Sequence, residues 1–158
     1  MLAMRERAHR VAALVPRPVQ VFAAREAGLD WLVARITPHL SHRLIPDSGV
    51  VVVEPTGPLR PEDFDALALL IDPWIEAHGA LRGVVVHLQE FPSWEGLGAF
   101  VRHVQFVREH QRWVRRVALA ADSRLAQIMS NLGELFLRTE LKHFGRNELD
   151  HAIEWAAA

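Results

Sequence analysis

The chain has no cysteine. Disulfides, zinc–thiolate sites, iron–sulfur clusters and cysteine nucleophiles are therefore excluded. No run of about 18 apolar residues is present, so no segment reads as a transmembrane helix. The apolar stretch Val11–Val15 behind Arg5, Arg7 and Arg10 is too short for a signal peptide. A soluble cytoplasmic protein is the expectation. Also missing are a Gly-x-Ser-x-Gly elbow, a phosphate-binding P-loop, a GxGxxG fingerprint and an HExxH pair. A strong net charge is lacking too, since the total is −1. That total is uneven. Residues 1–43 hold seven Arg against Glu6, Glu26 and Asp30, which is +4, and the remainder has 11 basic and 16 acidic residues, which is −5. By charge, the bulk of the chain is a poor nucleic-acid binder.

What is present is one domain's worth of globular sequence. Of its 158 residues, 50% are hydrophobic and 23% charged, which is the balance of a folded chain with a core of its own. Gly49–Val53 and Gly83–Leu88 are short β-branched runs and read as strands. The near-continuous apolar character of the second predicts a central position. Between them, Pro61, Glu62 and Asp63 open a helix with a proline and two acids near the positive end of its dipole. Phe64, Leu67, Ile71, Trp74, Ile75 and His78 recur on one face of it, Pro73 predicts a kink or restart, and Gly79 ends it. Trp94 to Glu109 reads as a helix, Val114–Ala121 as a strand and Leu125–Phe136 as a helix capped at Asp122-Ser123. Glu140–Phe144 reads as a short strand, and Asn147 caps a last helix that runs to about Trp155. This alternation predicts an α/β sandwich with a mostly parallel sheet.

Residues 1–37 are a basic extension in which Arg5–Val15 and Glu26–Ile36 read as helices and Val19–Phe22 as a strand. Gln20–Phe22 with Glu26 echoes Lys142–Phe144 with Glu148 at an offset of 122. A duplicated strand–helix unit and a chance amphipathic extension both remain open.

Over roughly residues 40–157 the order of motifs resembles the SpoIIAA-like family, a bacterial branch of the STAS/SEC14-type domains. The resemblance is carried by Gly57–Phe64, Trp74–Gly79, Val84–Trp94, Phe106–His110, Arg115–Asp122 and Glu140–Phe144. It implies a STAS-like sandwich, with a mixed, mostly parallel sheet of about five strands covered by four helices. It also implies an edge strand at His39–Leu44, and it places residues 38–158 in the domain and residues 1–37 outside it.

The loop Phe91-Pro-Ser-Trp-Glu-Gly-Leu-Gly98 follows the second strand. In the sporulation-type regulators of that family the corresponding loop carries a phosphorylated serine, which this chain replaces with Trp94. The next serine is replaced by Glu95. The departure counts against a kinase-switched regulator. Ser93 has two readings, as a phosphate acceptor or as a cap of the following helix, and the cap is preferred. On that helix Leu97, Phe100, Val101, Val104 and Val107 form a broad apolar stripe expected to face the sheet. Ala99, Phe106 and Trp113 form a narrower one, close to His103 and His110, which needs a partner if it is wet. Phe106 and Trp113 are accordingly the candidate interface residues, for a homodimer or protein partner, a membrane-touching patch, a lid over an apolar ligand, or a cover made by residues 1–37.

The resemblance implies a pocket for a nonpolar, lipid-like ligand between helices and sheet, with peripheral membrane contact. Trp94, Phe100, Val104, Met129, Leu132 and Phe136 are the candidate ligand-binding residues. The same positions are also what a packed core would show. Nine histidines invite a metal. His39 and His42 would point to opposite faces of a strand, His103 and His110 lie two turns apart, and His143 and His151 fall in different elements. His78 and His87 read as packed side chains. Glu90 and Glu95 flank the loop after the second strand with no converging base or nucleophile. No catalytic residue, metal or cofactor is expected. The reading is a non-enzymatic binding protein for a nonpolar ligand, with a STAS-type protein-interaction module as the alternative.

Overall fold

The computed structural model describes residues 25–27, 37–124 and 139–158. The chain divides into two compact units, Met1–Thr37 and Pro38–Ala158. In the first, residues 25–27 are helical. The other elements expected before Thr37, and the helix expected at Leu125–Phe136 with Met129, Leu132 and Phe136, lie outside the described residues.

The second unit is built on a five-stranded sheet in the order β1-β2-β3-β4-β5. Its strands are β1 (Leu40–Ile45), β2 (Val50–Pro55), β3 (Leu81–His87), β4 (Val114–Ala120) and β5 (Glu140–Phe144). β1 and β2 form an antiparallel hairpin in which Leu44 faces Val51. Its turn uses Gly49 at φ 65°, a left-handed conformation that costs glycine little. All later neighbours are parallel, so each pair needs a crossover. α1 (Pro61–His78) and α2 (Gly96–His110) make two of them. A short 3-10 turn, Gln111–Trp113, joins α2 to β4, and α3 (Leu149–Ala157) follows β5.

The valine runs form strands because they are buried on both sides. Val51 and Val53 pack beneath α1 and α2, with Leu40, Leu59, Phe64, Leu67, Ile71 and Phe106. Val50, Val52 and Val85 face the other way, with Ala118, Ala120, Phe144 and the α3 residues Ala152 and Ala156. A residue added at either strand would exchange the two faces. α3 sits very close to the sheet: a Cβ built on Gly83 would lie 2.6 Å from both the Cβ and the carbonyl oxygen of Ala156.

α1 starts and stops where proline and glycine predict. Gly79 takes φ 81° and its N–H bonds the Ile75 carbonyl at 2.7 Å, a left-handed helix cap. Pro73, expected to kink or restart the helix, lies inside one continuous helix. Both Pro73 and Leu69 are exposed, so the carbonyl that Pro73 leaves without its helical donor is on the wet side, where water replaces it. Asp63 does more than meet a dipole. It is 2% exposed, and its carboxylate accepts the backbone N–H of Arg60 at 2.8 Å and of His39 at 2.9 Å. One side chain thus joins the start of α1 to the entry of β1.

The orientation of α2 corrects the expectation. Leu97 is 77% exposed, and Phe100 and Val101 are exposed as well. The buried side is that of Ala99 and Phe106. Helix-to-helix contacts decide this. Phe106 lies 5.8 Å from Phe64, and His103 stacks on Phe64 at 5.0 Å. Arg102 bonds Asp65 at 2.9 Å and His110 bonds Asp72 at 2.9 Å. The Val104 and Val107 side is half-buried.

Candidate functional site

The loop after β3 is pinned before α2 begins. Leu59 N–H bonds the Ser93 carbonyl and Glu95 N–H bonds the Leu59 carbonyl, each at 2.8 Å. This two-bond ladder holds Trp94 beside Leu59. Ser93 is therefore not the helix cap that was preferred: the N-cap position is Glu95, and no side chain bonds there. At the other end of the domain Glu148, not Asn147, precedes α3, and its carboxylate accepts the Gly145 N–H at 2.6 Å.

Trp94 organises a chain of rings. Phe100 meets it edge-on at 5.3 Å and Phe91 at 6.5 Å, while His103 stacks on it at 5.6 Å. Beyond His103 follow Phe64, Phe106 and His110, the last stacked on Phe106 at 4.2 Å. The indole N–H of Trp94 bonds His103 Nδ1 at 3.2 Å. An indole nitrogen only donates, so Nδ1 accepts and the imidazole is neutral with its proton on Nε2. Burial acts in the same direction and pulls the His103 pKa below its ordinary value of 6.5.

Beneath these rings lies a cavity of about 520 Å³, within the roughly 300–1,000 Å³ usual for small-molecule pockets. Its floor is the α1/α2 face of the sheet, with Val51, Val53, Val84, Val86, Val117 and Leu119. Leu141 and His143 of β5, paired with Val117 and Leu119, extend that floor, and Phe100, His103, Val104, Phe106, Val107 and Arg108 of α2 line the cavity as well. Trp94, Phe100, Val104 and Phe106 all line it. Met129, Leu132 and Phe136 fall outside the described residues.

Phe106 and Trp113, paired on paper as one stripe, are separated in space. Phe106 is 8% exposed and belongs to the core, so it is corrected from a surface residue to a packing residue. Trp113 is 39% exposed with the Arg112 guanidinium 5.0 Å from its ring. It lines a different, polar cleft between α1 and α2, whose Arg102, Glu109, Asp72 and His110 are paired among themselves.

His103, weighed in the sequence only as a metal ligand, and Arg108, which no sequence signal marks, both line the cavity. The spacing 99, 103, 106, 110 marks a helix face, but its imidazoles count as polar on any hydropathy scale. Of the other histidines, His87 Nδ1 lies 2.5 Å from Glu54 and its Nε2 3.1 Å from the Arg146 carbonyl. His78 stacks on Trp74 at 3.8 Å. Among the described residues no three His, Asp or Glu side chains are grouped to hold a metal, and no helix is long and apolar enough to cross a membrane.

No curated protein matches the chain. Among solved structures it is similar to a protein of the DUF3478 family with a SpoIIAA-like fold from Shewanella loihica PV-4. The two are 17% identical, the match covers 74% of this chain and 91% of the other, and the TM-score is 0.54. At that identity the likeness concerns the fold. The SpoIIAA-like family model matches residues 50–157, well over half of the chain, and this match, with the mixed five-stranded sheet it spans, makes the chain a member of the SpoIIAA-like family.

Proposed function

We propose that this STAS-type domain is a non-enzymatic binding protein that carries or senses a nonpolar ligand in the cavity below Trp94. The observation that carries this reading is the cavity itself: about 520 Å³ walled by valine, leucine and aromatic side chains, where a packed core would leave few voids larger than a water molecule. Burial of a ligand's apolar surface supplies the affinity at roughly 25 cal/mol per Å². The ring cluster around Trp94 supplies a wall that adapts by small rotations. Peripheral contact with a membrane, as the place where ligand is exchanged, is part of the proposal. The exposed Phe91, Leu97, Phe100 and Val101 form the surface for it. Native mass spectrometry, with organic extraction of the purified protein, is expected to find a bound lipid-like molecule. Delipidated protein is expected to bind the neutral dye N-phenyl-1-naphthylamine, and Val104→Trp to abolish that binding. An empty protein that also ignores the dye would sink the reading.

The same four exposed residues favour a second reading, a module that binds another protein through the loop Phe91–Gly98. Since Phe106 is buried, Leu97 is the informative position. Leu97→Glu is expected to abolish partner recovery in a pull-down while leaving dye binding intact; unchanged recovery counts against this reading.

A further inference from the structure

We propose that the cavity takes an anionic single-chain amphiphile, a long-chain carboxylate, held tail-in with its head on Arg108. The inference rests on the cavity reading above and adds the chemistry of the ligand's head. Arg108 lines the cavity and is exposed, which places it at the mouth. Among the described lining residues it is the only one that carries a formal charge independent of histidine protonation, and none of them is Asp or Glu. That absence is notable in a stretch, residues 44–158, that holds 16 acidic against 11 basic residues.

The neighbouring cations are already engaged. Arg102 bonds Asp65 and lies 3.6 Å from Glu109. Arg112 lies over Trp113. Arg116 bonds Glu140 and the Trp155 carbonyl. Arg108 has no carboxylate partner among the described residues. Two other polar groups lining the cavity are already bonded: Thr139 Oγ1 donates toward the carbonyls of Val114 and Gln111 at 3.3 and 3.4 Å, and His143 Nε2–H donates to the Ala121 carbonyl at 2.8 Å. What remains is a guanidinium fork at the lip of an apolar chamber. A carboxylate can meet it with two parallel hydrogen bonds. Because Arg108 is exposed, water screens that pair in part, and the apolar tail supplies most of the affinity.

The test compares palmitate with hexadecanol, which share a tail and differ at the head, by displacement of N-phenyl-1-naphthylamine from the full chain at pH 8. Palmitate is expected to bind about ten-fold tighter than the alcohol, the size of one hydrogen bond to a charged group. Arg108→Gln is expected to bring palmitate down to the alcohol's affinity, to leave the alcohol unchanged and to keep the wild-type unfolding midpoint. Arg108→Lys should restore part of the preference. Equal binding of the two ligands to the wild type, or a preference that survives in Arg108→Gln, overturns the proposal while the cavity stands. Failure of the dye and of both ligands to bind overturns the cavity reading and this proposal with it.

Discussion

Asp63 and His103 show how far a single side chain reaches in this domain. Asp63 satisfies two backbone donors from segments more than twenty residues apart. Asp63→Ala strands the buried Arg60 N–H, at a cost of about 1–3 kcal/mol, and the half-buried His39 N–H, which water reaches more easily. Urea unfolding should therefore show a loss near the upper part of that range, and a loss below 1 kcal/mol would mean that water replaces the carboxylate. His103 is a base whose folded pKa lies below its unfolded one. Protonating it also sets two donors, its own Nδ1–H and the Trp94 N–H, against each other. The unfolded chain binds the proton more readily, so the stabilisation from neutral His103 is fully present at high pH. It begins to be lost as pH falls below the ordinary value of 6.5 and stops falling below the folded pKa. The difference in unfolding free energy between wild type and His103→Gln is expected to shrink from pH 8 to pH 5. A pH-independent difference would show that the ring's charge state does not matter to folding.

At the level of the element, α2 is the instructive one. Its apolar letters predict the Leu97/Phe100/Val101 side as the buried face, and it is the exposed one. Stacked rings and charge pairs with α1 outweigh the aliphatic count, because a neutral stacked imidazole behaves as a flat apolar group with one polar edge. Phe106→Ala is expected to cost about 3–5 kcal/mol, and Leu97→Ala less than about 0.5 kcal/mol, as for other surface sites. Equal costs would return α2 to its sequence-derived orientation. β2, β3 and α1 were legible because their signals are local: β-branched runs, a proline at the first turn and a glycine past the last. β1 was legible only through the family resemblance, since Leu40–Ile45 has no strand pattern of its own. The register of α3 against the sheet is a contact 73 residues apart in the chain, and nothing near Gly83 announces it. Gly83→Ala drives a methyl into the Ala156 carbonyl. It should destabilise by about 1–3 kcal/mol as overpacking does, with Ala156→Gly giving no rescue because the backbone oxygen remains.

Over the whole molecule, the hydrophobic pattern tells which residues turn inward and not how tightly they meet. Val51, Val86, Val117 and Leu119 would read the same in a filled core as in the wall of a cavity, since the difference is a matter of a few ångströms between layers. That is why a pocket between helices and sheet is implied by the family resemblance alone, while the hydropathy of Trp94, Phe100 and Val104 fits a packed core equally well. Charge, by contrast, was legible as a total and became informative only when mapped. Although residues 44–158 carry an acidic excess, none of the described residues lining the cavity is Asp or Glu, and Arg108 is among them.

The strands stand in the sheet in the order in which they occur in the chain. Read as an order of synthesis, each strand leaving the ribosome finds its neighbour already made, and pairing proceeds without a gap to be filled later. Among the described residues the cover of the second face comes last: the helix that packs on Val50, Val52 and Val85 is α3, which follows every strand. A nascent chain stalled after Phe144 should therefore be paired but sticky, captured by chaperones that bind exposed apolar sheet, and released once residues 149–157 are added.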